Sequence, residues 1–345
     1  MSFVNQKKFK NNQLIDFLNK IDLTEISHKE SNFFNNKRIL ITGVSGVIGI
    51  NLLFFFNSLI KNRKVKLKVD GTFHTSIFSF VKNYFKKNMS ISFYKIDLTK
   101  KELNLNNKYD LIFHCAGYGQ PAKFMKYKSS TFKLNSLTIM NLKKYLKNKG
   151  KFMYMSTTEL YSGNKNLCSE ISIGNTTTFH PRSAYIESKK FGESFLINCF
   201  DKYLIYRVCL TYGPGAKLND ERILNILLLR SINKNHIDIF GGLNQLRSNL
   251  YISDAINMII KSTVKYENEI FNISNHKMTT IKKMAQIISK ISNKKIIKHK
   301  SFLKGSPQII KISNKKILES TGLRISNDLK DGLLKTYKWY LNLSS

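Results

Sequence analysis

The feature that most constrains the fold is a glycine turn between a short apolar strand and a helix. Residues 38–42 (RILIT) predict the strand, and Gly43, Gly46 and Gly49 follow it at G-x-x-G-x-x-G spacing. Because glycine has no side chain, the backbone of the turn can approach a pyrophosphate. The free N–H groups at the start of the helix predicted over residues 47–60 attract its charge. This context predicts a dinucleotide-binding turn that includes Val47 and Ile48.

Strands and helices then alternate along the chain. Further strands are predicted over residues 65–69, 90–96, 111–115, 151–155 and 204–210, and helices over residues 131–147 and 185–200. This alternation predicts an α/β fold, a Rossmann-type doubly wound parallel sheet covered on both faces. We expect an N-terminal helical extension (1–36), a dinucleotide-binding domain with catalytic residues (37–211) and a smaller, interwoven C-terminal α/β substrate-binding region (212–345). The extension is predicted to be helical because apolar residues recur in it at helical spacing, namely Leu14, Phe17, Leu18 and Ile21.

Composition excludes several classes of protein. The 345 residues carry 57 Lys+Arg and 22 Asp+Glu, a net charge of +35, but the basic residues are scattered and do not predict specific nucleic-acid binding. No apolar run is long enough to predict a membrane span or a signal peptide, so we expect a cytoplasmic protein. The cysteines lack zinc-ligand spacing, which predicts reduced thiols and no metal site. They are Cys115, Cys168, Cys199 and Cys209.

Two carboxylates are placed to bind the adenosine half of a dinucleotide. Asp70 closes the predicted second strand, where a carboxylate accepts hydrogen bonds from the ribose and repels a 2′-phosphate, which favours NAD over NADP. The alternative is a turn-forming Asp-Gly pair. Asp97 and Leu98 end the third strand and are expected to hold the adenine edge.

A second motif predicts acid–base chemistry. Tyr185 and Lys189 form Y-x-x-x-K at the start of a helix, and i, i+4 spacing places both on one face. The ammonium of Lys189 is predicted to lower the pKa of Tyr185, so that its phenolate takes a proton from a hydroxyl near neutral pH. Hydroxyl residues at the end of the strand over 151–155 are placed to hydrogen-bond the reacting oxygen. An exposed Tyr-Lys pair is the alternative for the motif alone.

With these elements in order, the sequence resembles the extended short-chain dehydrogenase/reductases, specifically the members that modify nucleotide sugars. The resemblance covers about residues 37 to 260. Its stretches are TGVSGVIG, HCAG, STTELYSG, HPRSAYIESKK, RVCLTYGPG and RSNLYISD. It implies NAD as cofactor, a nucleotide-diphosphate-sugar substrate and a homodimer formed through the Tyr185 helix and the helix over 131–147.

The resemblance also implies residue roles. Tyr185 and Lys189 would be the catalytic pair, also in contact with NAD, and Thr157 the active-site hydroxyl, while Glu159 would manage a proton or water at the sugar C5. The residues that would meet the substrate are Lys133, Asn135, Thr158, Arg222 and Arg247.

Three reactions within this group begin with oxidation of the sugar at C4. Thr158-Glu159 lacks the Asp of the 4,6-dehydratases and is similar to the Thr-Ser-Glu pattern of UDP-glucuronate decarboxylases, which makes decarboxylation the leading expectation. Dehydration and 4-epimerisation stay open, because Gln308 and Ile310 replace arginines of the family decarboxylases. A non-catalytic NAD-binding sensor or scaffold is the alternative of another class, and the intact Tyr185 and Lys189 count against it.

Overall fold

The computed structural model describes residues 3–20, 26–101, 103–240, 242–299 and 309–344. The helices are α1 (Phe3–Asn19), α2 (His28–Asn32), α3 (Val47–Arg63), α4 (Ser79–Tyr84), α5 (Pro121–Lys126), α6 (Lys128–Asn135), α7 (Leu137–Lys143), α8 (Ser183–Cys199), α9 (Ile223–Asn233), α10 (Ile252–Lys265), α11 (Ile281–Ser292), α12 (Lys315–Thr321) and α13 (Leu329–Ser344). The strands are β1 (Lys37–Thr42), β2 (Leu67–Phe73), β3 (Ile91–Lys95), β4 (Tyr109–His114), β5 (Leu146–Thr157), β6 (Leu167–Cys168), β7 (Tyr203–Val208), β8 (Leu210–Tyr212), β9 (His236–Phe240), β10 (Leu246–Tyr251), β11 (Glu269–Ile273), β12 (Met278–Thr280), β13 (Lys295–His299) and β14 (Lys311–Ile312).

Within the described residues, the central sheet has seven strands in the order β3-β2-β1-β4-β5-β7-β11. Every pairing in it is parallel, so the carboxyl ends of all seven strands lie at one edge. The strand order reverses between β1 and β4, and ligands of open α/β sheets bind in the crevice outside such a reversal. This confirms the predicted Rossmann-type fold and places the glycine turn, which follows β1, at the crevice.

Helix α3 continues directly from the glycine turn and is buried along most of its length. Its residues from Gly49 to Leu59 are all buried, including three consecutive phenylalanines. A helix that is apolar on every side belongs inside a core, and Lys61 and Arg63 in its last turn complement the helix dipole. The helix therefore fixes the turn rigidly against the sheet.

Three predicted elements differ from the structure. Strand β2 runs to Phe73 and not to residue 69, and the helix predicted over 131–147 is two helices, because the backbone leaves the helical region at Ser136 (φ −129°, ψ −84°). Residues 146 and 147 already belong to β5. The strand predicted over 204–210 divides into β7 and β8, of which β8 joins the three-stranded sheet β12-β10-β8.

The N-terminal and C-terminal parts of the chain share the core of the dinucleotide-binding part. Leu14 and Leu18 of α1 are buried in the same hydrophobic cluster as α3, and Phe17 packs edge-on against Trp339 of α13. Strand β11, from beyond residue 212, adds the seventh strand of the central sheet. The predicted helix of the extension is thus present, and the C-terminal region is woven into the sheet. Ile21 lies outside the described residues.

In the described part of the chain, no helix combines the length and apolarity needed to cross a membrane.

Candidate active site

The glycine turn forms a close backbone cradle at the start of α3. Gly43 has φ +73°, and a Cβ there would lie 2.8 Å from the backbone of Ala116. A Cβ on Gly49 would overlap the carbonyl oxygen of Gly43. Gly46 is the N-cap of α3 without a side-chain capping bond, so the first N–H groups of the helix are left for an anion.

A cleft of about 610 Å³ opens from this cradle along the carboxyl edge of the sheet. The cradle and Asp97-Leu98, which follow β3, lie in its wall. Asp97 Oδ1 accepts hydrogen bonds from the N–H and hydroxyl of Thr99, and these bonds lower the pKa of the carboxyl group against the opposing effect of burial. The predicted phosphate and adenine contacts therefore line one continuous space. Its members among the predicted residues are Gly43, Gly46, Val47, Ile48, Gly49, Asp97 and Leu98.

Asp70 is not part of this cleft, which corrects the prediction for the adenosine ribose. It lies inside β2 opposite Leu40 and is 2% exposed. Its Oδ2 accepts hydrogen bonds from Tyr109 Oη (2.8 Å) and Arg38 Nε (3.2 Å). Because β2 continues to Phe73, the strand carries Asp70 into the sheet, and the strand end presents other residues.

The predicted catalytic residues meet at the ends of β5 and α8. Thr157 is the last residue of β5; its hydroxyl accepts a hydrogen bond from the N–H of Glu159 (3.2 Å) and partly offsets the raised pKa of Tyr185. Lys189, one turn further along α8, donates from Nζ to the carbonyl of Met155 (2.6 Å). All three line a second cavity of about 200 Å³, which borders the cleft through shared residues including Ile48 and Gly117.

The electrostatics of this pair differ from the prediction. Burial is the largest cause that raises the pKa of Tyr185 above its ordinary value, and the Glu159 carboxylate adds to it. Burial also lowers the pKa of Lys189 to about 7, with Glu193 opposing. Lys189 Nζ is 6.0 Å from the centroid of the Tyr185 ring, so its charge is diminished and distant, and the predicted lowering of the Tyr185 pKa is not found.

Glu159 lies beside these residues and is held from one side only. Its Oε1 accepts a hydrogen bond from Arg182 Nη1 at 2.5 Å. Its Oε2 is buried and has no hydrogen-bond partner among the described residues. A buried, unpartnered carboxylate oxygen is costly, so it is suited to a hydroxyl or water that a ligand brings.

Arg182 and Phe124 were not among the predicted site residues. The Arg182 guanidinium lies 5.5 Å from the centroid of Phe124, whose ring is stacked on Tyr185. Arg182 is 5% exposed. The available signal was the arginine in HPRSAY, three residues before the tyrosine, but only the fold shows that it pairs with Glu159.

A buried polar network beneath the site also escaped the sequence analysis. Glu193 accepts hydrogen bonds from the hydroxyl of Ser156 and from Arg207, which binds it through Nε and Nη2. Arg207 Nη1 also donates to Tyr161 Oη at 2.8 Å. The network joins β5, α8 and β7 just below Thr157 and Lys189. An arginine inside the apolar strand YLIYRV was the signal that pointed to it.

The structure separates the two predicted residues of α6. Asn135 is completely buried, donates to Ser188 Oγ (3.0 Å) and leaves its own Oδ1 without a partner among the described residues. Ser188 in turn donates to the carbonyl of Tyr185, so Asn135 holds α8 in place. Lys133 is exposed and lines neither cavity, since Thr131, Leu134 and Asn135 form the buried face of this helix. The prediction that Lys133 meets the substrate is therefore not supported.

Arginines from the C-terminal region complete the second cavity. Arg222 lines both cavities and is held by Asp220 and by the carbonyl of Thr211 (3.0 Å). Arg247 lines the second cavity and donates to the carbonyl of Leu246 and to Gln245 Oε1. Thr158 lies in the same wall. Where the family decarboxylases carry an arginine, Ile310 also lines this cavity, and Gln308 lies outside the described residues.

The fit to a nicotinamide dinucleotide rests on the cradle. The glycines leave no room for side chains, the helix N-terminus offers free N–H groups, and the cleft leads from there to Tyr185 and Lys189 through the residues the two cavities share. The fold and site together define a class, the Rossmann-type dinucleotide-dependent enzymes of the short-chain dehydrogenase/reductase group. The chain belongs to the NAD-dependent epimerase/dehydratase family, whose model matches residues 39–274, and its cofactor is NAD.

Similar proteins agree with this assignment. UDP-glucuronic acid decarboxylase 1 of Xenopus tropicalis is 25% identical over 267 residues, which are 74% of this chain and 61% of that protein. The chain thus matches less than two thirds of that relative's length. An epimerase from Methanothermobacter thermautotrophicus superposes with a TM-score of 0.78 at 18% identity, covering 94% of this chain and 98% of the other. UDP-glucuronic acid 4-epimerase from Bacillus cereus, solved with UDP-glucuronic acid and NAD, superposes with a TM-score of 0.73 at 24% identity. The superposition covers 89% of this chain and 99% of the other. These two likenesses show the fold.

Proposed function

We propose that the protein modifies a nucleotide sugar through a transient 4-keto intermediate, and that its reaction is the decarboxylation of UDP-glucuronate. The observation that carries the proposal is Glu159, a half-buried carboxylate with one buried, unpartnered oxygen beside Tyr185, preceded by Thr158 and not by an Asp. The resemblance associates a hydroxyl–Glu pair with decarboxylases and Asp-Glu with dehydratases. The decarboxylase name of the Xenopus relative supports the same choice.

The charges of the second cavity suit an anionic substrate. Its described lining contains one carboxylate, Glu159, against three basic side chains. Those three are Lys189, Arg222 and Arg247. A nucleotide-diphosphate sugar carries its negative charge on the diphosphate, and a uronic acid adds a carboxylate, so this cavity attracts both.

Held at the glycine turn of residues 43–49, NAD would supply reversible hydride acceptance from the sugar C4. Tyr185 takes the proton of the C4 hydroxyl, assisted by the hydroxyl of Thr157 and by Lys189, which line the same cavity. A ketone at C4 makes the C6 carboxylate a β-keto acid. The C5–C6 bond therefore breaks with release of carbon dioxide, and its electron pair forms an enolate. C5 takes up a proton from solvent, passed on by a water that the unpartnered Oε2 of Glu159 holds.

The experiment is to incubate the purified protein with UDP-glucuronate, UDP-glucose, dTDP-glucose and UDP-N-acetylglucosamine and to identify products by mass spectrometry. Loss of the mass of carbon dioxide from UDP-glucuronate is expected. Loss of water from another substrate would replace the proposal with a 4,6-dehydratase, and an unchanged mass with inverted C4 by NMR would replace it with a 4-epimerase. No turnover of any substrate, with NAD bound, would favour a sensor.

We also propose that the protein is a homodimer. Helices α6, α7 and α8 carry large apolar side chains that are 43–52% exposed, a concentration that favours burial against a second copy. They are Phe132, Leu137, Met140, Phe191 and Ile197. The resemblance implies a dimer through these same helices. A cytoplasmic location remains a prediction from the sequence.

A further inference from the structure

We propose that the adenosine-ribose end of the cleft accepts a 2′-phosphate, so that the protein binds NADP as well as NAD. NAD enzymes of this fold place a carboxylate at the end of the second strand, where it binds the 2′-hydroxyl and repels a 2′-phosphate. Asp70 is the residue that the sequence offers for this task, and it lies buried in the sheet with both Tyr109 and Arg38 on its Oδ2.

The carboxyl end of β2 presents no acidic residue to the cleft within the described chain. The residues that line the cleft there are Thr72, Phe73, His74 and Thr75. The acidic residues described in the whole cleft wall are Asp97 and Asp220. Neither follows β2 in the chain: Asp220 pairs with Arg222, and Asp97 follows β3 and contacts His74.

Asp220 belongs to the catalytic end of the cleft. It pairs with Arg222, and the Arg222 charge acts on Tyr185. Asp97 follows β3, the neighbouring strand. Its Oδ1 accepts two hydrogen bonds from Thr99, and its Oδ2 lies 3.4 Å from His74 Nε2.

A cation does lie at the β2 end. Lys217, from the opposite wall of the cleft, donates from Nζ to the carbonyl of Ser76 at 2.9 Å. This bond fixes the ammonium beside the loop after β2 and leaves it two further N–H groups for a phosphate. Lys123 lines the same cleft. Burial, and then the charge of Lys123, lowers the pKa of Lys217. An anion bound between these two lysines would therefore be stabilised.

The test compares the binding of NAD and NADP to nucleotide-free protein by isothermal titration calorimetry at one ionic strength. We expect the two dissociation constants to agree within about tenfold, equivalent to about 1.4 kcal/mol. An NADP affinity weaker than that of NAD by about 100-fold or more would overturn the proposal. This comparison needs no variant and no turnover, so its outcome is independent of the proposed reaction.

Two surface variants assign the subsite. Lys217→Met should weaken NADP by about tenfold or more while changing NAD much less, because a charged hydrogen bond to the 2′-phosphate is lost. Thr75→Asp should weaken NADP and spare NAD, because it supplies the missing carboxylate at an exposed position. Lys86→Met, an exposed lysine outside the cleft, controls for the loss of one positive charge. The subsite would be refuted if Lys217→Met weakened the binding of NAD and NADP equally and Thr75→Asp left the affinity for NADP unchanged.

Discussion

Phe124 lies face to face with Tyr185, with ring centroids 4.4 Å apart and planes 2° from parallel. Phe124 also contacts the guanidinium of Arg182, which binds Glu159. The Tyr185 phenol and the Glu159 carboxylate are therefore positioned through one connected set of side chains. Three elements contribute to it: α5, the residues that precede and begin α8, and the turn after β5.

Replacing Tyr185 with Phe should reduce turnover by about 100-fold or more, because proton transfer by a positioned side chain contributes about 10²–10⁴ to the rate. Reduction of bound NAD by substrate, followed by absorbance, measures the loss. Tyr154→Phe is the matched control, since it removes a buried hydroxyl without a partner among the described residues. Full activity in Tyr185→Phe would refute the assigned role.

Replacing Arg182 with Gln should lower kcat with little change in KM, since Arg182 acts through Glu159 and lines neither cavity. Arg182→Lys retains the charge and should recover part of the rate. A pH–rate profile distinguishes positioning from mere destabilisation, because Arg182→Gln should change its shape and Arg182→Lys should restore it. Identical profiles in all three proteins would contradict this role.

The buried lysine predicts a pH-dependent stability. The unfolded chain keeps the Lys189 proton up to its ordinary pKa of 10.5, and the folded protein only up to about 7. The unfolded state therefore binds more protons between these values. Through Lys189, the free energy of unfolding should therefore rise by about 1.4 kcal/mol per pH unit between about pH 7 and the ordinary pKa of lysine. This gain in stability should be absent at and below neutral pH.

Urea unfolding of the nucleotide-free protein across this pH range measures the effect. Lys151, whose pKa burial lowers to about 8, contributes a slope of the same sign, so the difference from a Lys189→Met variant isolates Lys189. Stability curves that run parallel in the two proteins would show that Lys189 titrates normally in the fold.

The two glycines at the start of α3 should respond differently to alanine. Gly49→Ala places a methyl group against the carbonyl of Gly43 and should lower the free energy of unfolding by about 2–4 kcal/mol. At Gly46 the new Cβ would be 3.4 Å from the same oxygen, so the variant should fold and mainly lose affinity for NAD. Equal stability losses in the two variants, by urea unfolding, would contradict the geometry.

The proposed dimer predicts the effect of a charge on α8. Phe191→Asp should convert the dimer to a monomer in analytical ultracentrifugation, because it buries a carboxylate against a second apolar surface. The control is Phe179→Asp, a change at a highly exposed residue outside these helices. A wild-type protein that sediments as a monomer would refute the dimer itself.

The sequence predicted the glycine turn, the parallel sheet and the Tyr185–Lys189 pair because each depends on local patterns. These patterns do not depend on contacts with distant parts of the chain. They are the spacing of the glycines, the alternation of apolar segments and the i, i+4 pair on a helix. The predicted end of β2 was wrong, because a strand ends where its pairing with the neighbouring strands ends. Phe73 pairs with Lys95 of β3, which no property of residues 65–69 reveals.

The sequence by itself thus determined the fold class, the glycine turn and the placement of Tyr185 and Lys189 together on one helix. Tertiary structure alone decided that Asp70 is a buried partner of Tyr109, that Lys133 faces solvent and that Arg182 holds Glu159. The physical reason is distance along the chain. Asp70 and Tyr109 are 39 residues apart and Glu159 and Arg182 are 23 apart, so only the packing of separate elements brings these charges and hydroxyls together.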